Sequence, residues 1–308
     1  MQNPFHEGEL KAQRLAHEEI VAERNSNMIA DRVMGGALPF LAQQSMAVFG
    51  SRDRQGRVWA SMVFGSRGFM KSTDGRNVDF DLSLVAVQQQ DPFWRNIEAN
   101  PAVGMLAIEL GSRRRIRING DISQRTESAM QLAVRESYPN CPKYITRRMV
   151  RTFEVGEPLK SEINGGRALE PEQERLLGRG DVAFIATAHP TRGADASHRG
   201  GNPGFIEVLD GEILRIPDYV GNGMFNTFGN LLVDPAAGLV VPDFERGSAL
   251  LLTGRAEVLF NGDDPIHATG GTHRFLIFHI EEWLQLALPA LKSEVLDYSP
   301  YNPPLVGK

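Results

Sequence analysis

Apolar and polar positions along this chain form two textures. From His6 to about Arg24 the residues are mostly Glu, Ala, Lys, Arg and Leu, with no proline and no glycine after Gly8, and this predicts a helix. A second helical stretch is expected from Asp31 to Gln43. Short, largely apolar runs then follow: SMAVFGS from Ser45, RVWASMVFG from Arg57 and VGMLAIEL from Val103. Turn residues such as Asp53–Gly56 and Asp74-Gly75 separate them, which predicts strands. A helix is expected over Glu127–Tyr138, and Pro139 and Pro142 end it. The second half repeats the plan. A helix over Glu170–Leu177, opened by Pro171, precedes the runs VAFIATA, GFIEVL, GLVVP, ALLLTG and HRFLIFHI. Many short strands with Gly and Asp turns predict barrels and argue against a parallel α/β sheet.

Counting sharpens the repeat. Ala60-Ser61, Gly68-Phe69 and Asp74-Gly75 recur as Ala196-Ser197, Gly204-Phe205 and Asp210-Gly211, all at one offset. Asn100-Pro101-Ala102-x-Gly104 recurs as Asp234-Pro235-Ala236-x-Gly238, and Gly120 as Gly254, at an offset two residues shorter. Order and near-constant spacing point to an internal repeat. The fold class expected is mainly β with flanking helices (α+β), as two tandem β-barrels, which the resemblance given below implies are split barrels. The division expected is 1–30 as an N-terminal helical segment, 31–160 as a first barrel and 161–308 as a second.

The two copies differ where chemistry would sit. Ser61-Met62-Val63-Phe64 in the first copy is Ser197-His198-Arg199-Gly200 in the second. Arg offers a forked, permanently charged donor, and glycines let backbone N–H groups approach an anion. A loop containing Gly221, Asn222 and Gly223 leads to Asn226 and Thr227. One or the other is placed to cap a short helix, whose free N–H groups suit an anion. In the first copy, Ser112–Gly120 is a basic strand whose second-copy counterpart is neutral. Alternation points Arg113, Arg115 and Arg117 to one side and Arg114 to the other. Arg115 and Arg117 are therefore candidates to reach the same cleft. The second copy alone has both the strand and the helix-start elements, so one ligand per chain is expected.

At these residues the chain resembles the pyridoxamine 5′-phosphate oxidase-like family of FMN-binding split barrels. The segments that carry the resemblance are Asp195–Phe205, Gly221–Thr227 and Gly254-Arg255-Ala256. Phe5–Leu10 and Asn140–Ile145 are similar to a two-barrel branch of that family. The resemblance implies FMN held between two barrels. Its phosphate would lie on Ser197, His198 and Arg199 of a strand and on Asn226 and Thr227 of the following loop, with Asn222, Lys143 and Tyr144 lining the pocket. The family's oxidases carry Arg and Lys where this chain has Asn226 and Thr227, and their vitamin-substrate set of Lys, Tyr, Arg and Ser has no counterpart. Oxidation of pyridoxamine phosphate is therefore not expected.

Composition narrows the partners. The net charge of −5 disfavours a general nucleic-acid or membrane-surface binder. One cysteine, Cys141, cannot form an intrachain disulfide, and the seven histidines show no metal-site spacing. The opening residues lack the apolar run of a signal peptide, and no stretch is apolar enough to span a membrane. A cytoplasmic location is expected. The function expected is an FMN-dependent oxidoreductase with unknown catalytic residues. It would act on a small-molecule substrate, with NAD(P)H or a reductase as electron donor, and a homodimer is an allowed assembly. The alternative is a non-catalytic carrier of flavin, haem or another small ligand.

Overall fold

The computed structural model describes residues 3–152, 159, 164–289 and 291–304. The first half contains helices α1 (Glu7–Ala16), α2 (Glu19–Ser26) and α3 (Leu38–Gln43). Strands β1 (Met46–Arg52), β2 (Val58–Phe64), β3 (Met70–Lys71) and β4 (Asn77–Asp81) follow. Helix α4 (Phe93–Ala99) then leads to β5 (Ala102–Glu109), β6 (Arg114–Arg125), β7 (Ala129–Pro139) and β8 (Arg147–Thr152). The second half opens with β9 (Asn164–Gly166) and α5 (Pro171–Arg179). It continues with β10 (Val182–His189), β11 (Gly193–Gly200), β12 (Glu207–Asp210), β13 (Ile213–Pro217) and α6 (Asn226–Val233). It ends with β14 (Ala236–Asp243), β15 (Ser248–Leu259), β16 (Phe275–Ala287) and β17 (Leu291–Asp297).

The architecture is mainly β with flanking helices: two tandem split barrels. One sheet runs β2-β1-β5-β6-β7-β4-β3 and the other β11-β10-β14-β15-β16-β13-β12, the same order twice. The register repeats as well. Gly50 faces Ala60 and Gly104, and Ala186 faces Ala196 and Gly238. β8 and β17, each following its own sheet, pair with one another. The expected boundary at residues 160/161 lies outside the described residues.

The near-continuous apolar strands are explained by burial on both faces. In β1, Ala47 and Phe49 enter the first barrel's core, whereas Met46 and Val48 enter a core shared between the barrels. In β10, Ala183 and Ile185 enter the second barrel's core, whereas Val182 and Phe184 join the shared one. Period-two alternation therefore feeds two apolar compartments. Glycine makes the contact between barrels close. A Cβ on Gly104 would lie 2.4 Å from Asp195 Cα, and one on Gly238 would lie 2.7 Å from Trp59 Cα.

Three expectations are corrected. The helix over Glu127–Tyr138 is strand β7, paired with β4 and β6. Its Ala, Leu, Arg and Glu favour helix intrinsically, but Met130 and Leu132 are buried beside Phe80 and Val78 across the ladder, and tertiary pairing wins. The opening helix breaks at His17, whose φ of 57° ends α1. Asp31–Gln43 is helical only from Gly35, first as a 3-10 turn and then as α3. Among the described residues, no helix is long and apolar enough to cross a membrane.

Candidate functional site

Edge strand β11 lies against β5 and β6 of the other barrel. Between it, the tip of α6 and β6 is a half-open cavity of about 110 Å³. β6 contributes Arg115 and Arg117, β11 contributes Ser197, His198 and Arg199, and the start of α6 contributes Asn226 and Thr227. The loop after β13 adds Asp218, Tyr219 and Asn222. Local backbone explains the approach. A Cβ on Gly200 would lie 2.2 Å from the Tyr144 carbonyl, so β11 can end against that segment only with glycine. Gly223 has φ +71° and packs on Val21 of α2.

Arg117 is the pillar of this site. It is buried, its Nε 2.9 Å from Asp195 Oδ1 and 3.0 Å from the Ala196 carbonyl oxygen. Its Nη1 donates to Tyr138 Oη at 3.0 Å and Asn226 Oδ1 at 3.1 Å, and its Nη2 donates to Ser197 Oγ. Burial opposes the charge, but Asp195 and Tyr138 outweigh it and hold the guanidinium above its ordinary range. Thr227 Oγ1 donates to Ser197 Oγ (3.1 Å), which donates to Asp195 Oδ2 (3.2 Å). The β6, β11 and α6 elements are thus tied by one polar network.

The remaining charges are less saturated. Asp218 bridges Arg199 (3.2 Å) and Arg274 (2.9 Å), and Arg274 also reaches Glu18 of the N-terminal segment at 3.0 Å. Arg199 lies over Phe228 and Arg274 over Phe225. Arg115 donates only to the Cys141 carbonyl oxygen and has no carboxylate partner among the described residues. Four guanidiniums thus meet three paired carboxylates, and Arg115 is left over. Burial first, then the neighbouring Arg117, push its pKa down to about 9. Burial, with Arg115 and Arg199 nearby, holds His198 well below the usual imidazole range, so it is neutral near pH 7. Its Nε2 has no hydrogen-bond partner among the described residues. A partly buried cation without a counter-charge calls for an anion.

Seven expected residues surround this cavity together: Arg115, Arg117, Ser197, His198, Arg199, Asn226 and Thr227, joined by Asn222 in the loop. Two expectations need changing. Lys143 does not line the cavity; its ammonium lies over the Tyr301 ring. Tyr144 stacks on Tyr219, with ring centroids 4.6 Å apart, and donates to the Val220 carbonyl oxygen, so it supports a wall without lining the cavity itself. Arg113 also leaves the expected row. It precedes β6 with φ 55° and binds the Ile145 carbonyl oxygen and Asp297. The cap of α6 is Phe225, at φ 60°, and Asn226 is the first helical residue. Asp218, Phe228 and Arg274 were not anticipated. Arg274 lies 56 residues from Asp218 in sequence, and no local signal links them.

His6, Glu7 and His189 form another titratable group, with ligand atoms mutually within 4.8 Å. Hydrogen bonding explains it without an ion. His6 Nδ1 accepts from Gly8 N and His189 Nδ1 from Thr191 N. In the neutral rings the protons are then on Nε2, facing Asn230 Oδ1 and Glu7 Oε1. Burial, then His189, push the His6 pKa down to about 4.

No family model matches the chain, and no curated protein matches it. Solved structures similar to it include a protein of the pyridoxinephosphate oxidase family from Clostridium acetobutylicum, at 13% identity and TM-score 0.29, covering 41% of this chain and 92% of that one. An FAD-binding protein from Mesorhizobium loti shows 14% identity and TM-score 0.29, covering 41% and 98%. HutZ, the heme storage protein from Vibrio cholerae, shows 15% identity and TM-score 0.26, covering 42% and 94%.

Proposed function

We propose that this chain binds FMN, with the ligand's phosphate in the arginine-lined cavity between the barrels, and acts as an oxidoreductase on a small molecule. The observation that carries the reading is Arg115, a partly buried cation whose only acceptor among the described residues is a backbone carbonyl. The loop charges that Asn226 and Thr227 lack are supplied by Arg115 from the other barrel and by Arg274. The donors fit a phosphate: Arg115 and Arg199 offer charge, while Arg117 is largely committed to its neighbours. The half-open cavity of about 110 Å³ has room for a phosphate group among these donors. The rest of the mononucleotide would extend beyond that seat; Tyr219 lines the cavity and Tyr144 backs it. FMN, when bound, would supply hydride or electron chemistry, and the protein orientation and charge. No acid–base side chain is then obligatory.

The test is titration of apo-protein with FMN and with riboflavin. Removing Arg199 leaves Asp218 still paired with Arg274, so the fold is expected to tolerate Arg199→Ala. A charge-assisted bond contributes about 1.5–3 kcal/mol, so FMN should bind roughly ten- to a hundredfold more weakly. Riboflavin should bind poorly to both proteins. Equal FMN affinity in the variant, or equal binding of riboflavin by the parent, rejects this seat. Flavin bleaching by NADH or NADPH would distinguish an oxidoreductase from a carrier.

A further inference from the structure

We propose that Glu9, on the N-terminal helix, is a positioning residue for the anion cavity and that its charge state sets the cavity's affinity. The inference rests on the anion reading above. Two bare backbones bring Glu9 into place. A Cβ on Gly8 would lie 2.1 Å from the Gly229 carbonyl oxygen, and one on Gly229 would lie 2.4 Å from Glu9 Cγ. Helices α1 and α6 therefore cross at glycines, and Glu9, 5% exposed, sits against the first turn of α6. Its Oε1 accepts from Asn226 Nδ2 at 2.6 Å, and its Oε2 accepts from His6 N at 2.9 Å. Asn226 Oδ1 in turn accepts from Arg117 Nη1. With its N–H group held by Glu9, the amide presents oxygen to Arg117. Without Glu9, only the bond from Arg117 holds that orientation.

The bland alternative is that Glu9 only closes a capping box with His6, which it does. A capping box needs neither deep burial nor a partner on another element, and Glu9 has both. The elements around it bring charge, apart from α6. Asp195 on β11 and Glu136 on β7 are like charges, and Arg192 lines the same small cavity of about 20 Å³. His6 Nε2 is 3.5 Å away, and Arg117 is reached through Asn226. Burial first, then Glu136 and Asp195, push the carboxyl up to about 8, against the hydrogen bonds from His6 and Asn226. Below that pH the group is neutral. Above it, a negative charge stands one amide from Arg117 and opposes an incoming anion. By linkage, anion binding near pH 8 takes up protons.

The probe is sulfate, a dianion throughout the range used, with FMN in parallel. Calorimetric titration of the full chain at pH 6.5 and 8.5 should show parent affinity falling on the order of tenfold, about 1.4 kcal/mol. Glu9→Gln should change less than about threefold. Glu9→Ala, which frees Asn226, should bind more weakly than Glu9→Gln at both values. Parent protein at pH 8 should also take up protons on binding sulfate, read from buffers of different ionisation enthalpy, and Glu9→Gln should take up fewer. An equal fall in Glu9→Gln would assign the dependence to Arg115 and overturn the proposal, as would absence of proton uptake. A parent that binds neither sulfate nor FMN overturns the anion reading and this inference with it.

Discussion

The two clefts between the barrels share a frame and differ in what fills it. Asn96 Nδ2 donates to Ser51 Oγ at 3.0 Å, and at the equivalent place Asn230 Nδ2 donates to Thr187 Oγ1 at 3.0 Å. Helices α4 and α6 are therefore anchored to β1 and β10 in the same way. Around that anchor the chemistry inverts. Where one cleft has Arg115 and Arg117, the other has Ala249 and Leu251, and where one has His198 and Arg199, the other has Met62 and Val63. Met62, Ala249 and Leu251 belong to the shared apolar core. Ser61 keeps its hydroxyl but donates it to buried Asp91 at 2.5 Å, and that carboxyl, pushed up by burial to about 6, accepts from Phe93 N at the start of α4. The fold plainly does not require arginines at this crossing. Their presence on one side exposes the protein to the desolvation cost of buried charge, which a packed apolar cleft avoids.

The largest expected effect comes from making the polar cleft like its twin at one residue. Arg117→Leu installs the residue type found at position 251, but leaves Asp195 buried without a cation. Breaking one side of a buried pair costs about 3–5 kcal/mol. Denaturant unfolding should show that loss, and Arg117→Leu with Asp195→Asn should recover part of it, because no buried charge is then stranded. A single variant as stable as the parent would mean that the Arg117–Asp195 pair does not hold the barrels together, and the contrast between clefts would lose its main term.

Much of this contrast was legible in the sequence, for a physical reason. Constant offsets survive because each repeat must form the same ladder. Gly104 and Gly238 have to be bare where the barrels touch, and Gly68 and Gly204 both adopt positive φ, +89° and +82°. Charged residues at positions whose twins are apolar, such as Arg199 against Val63, then stand out. What was not legible depends on contacts far apart in the chain. Strand β7 reads as helix until its partners Phe80 and Val78 are known. Arg274 looks like a strand start until Asp218 meets it. Glu9 looks like an ordinary cap residue until α1 is found on α6 of the other barrel. Lys143 was drawn into the pocket by resemblance alone, and its contact with Tyr301 had no local signal.

A smaller effect tests the shared frame. At the paired glycines the reason is conformational: nothing lies within 4 Å of a Cβ on Gly68, yet φ is +89°. Valine is strained there and at Gly204, at about 1–3 kcal/mol each. Gly68→Val and Gly204→Val should therefore lower the melting temperature by similar amounts. Unchanged melting in either would show that the two turns do not share this constraint, although their positions match.

The smallest expected effect is a null in the apolar cleft. Val63 occupies the position of Arg199 and is buried in the first barrel's core. Val63→Ala removes two methyl-sized groups, so at about 0.8 kcal/mol each the fold should lose roughly 1.5 kcal/mol. FMN affinity should stay within about twofold of the parent, because Val63 does not line the arginine cavity. The two readouts separate possibilities that stability alone would confuse. If Arg199→Ala weakens FMN while Val63→Ala weakens only the fold, the clefts are energetically distinct and one ligand binds per chain. If Val63→Ala weakens FMN as much as Arg199→Ala does, the ligand is sensing the integrity of the whole two-barrel frame, and the assignment of its phosphate to one cleft no longer holds.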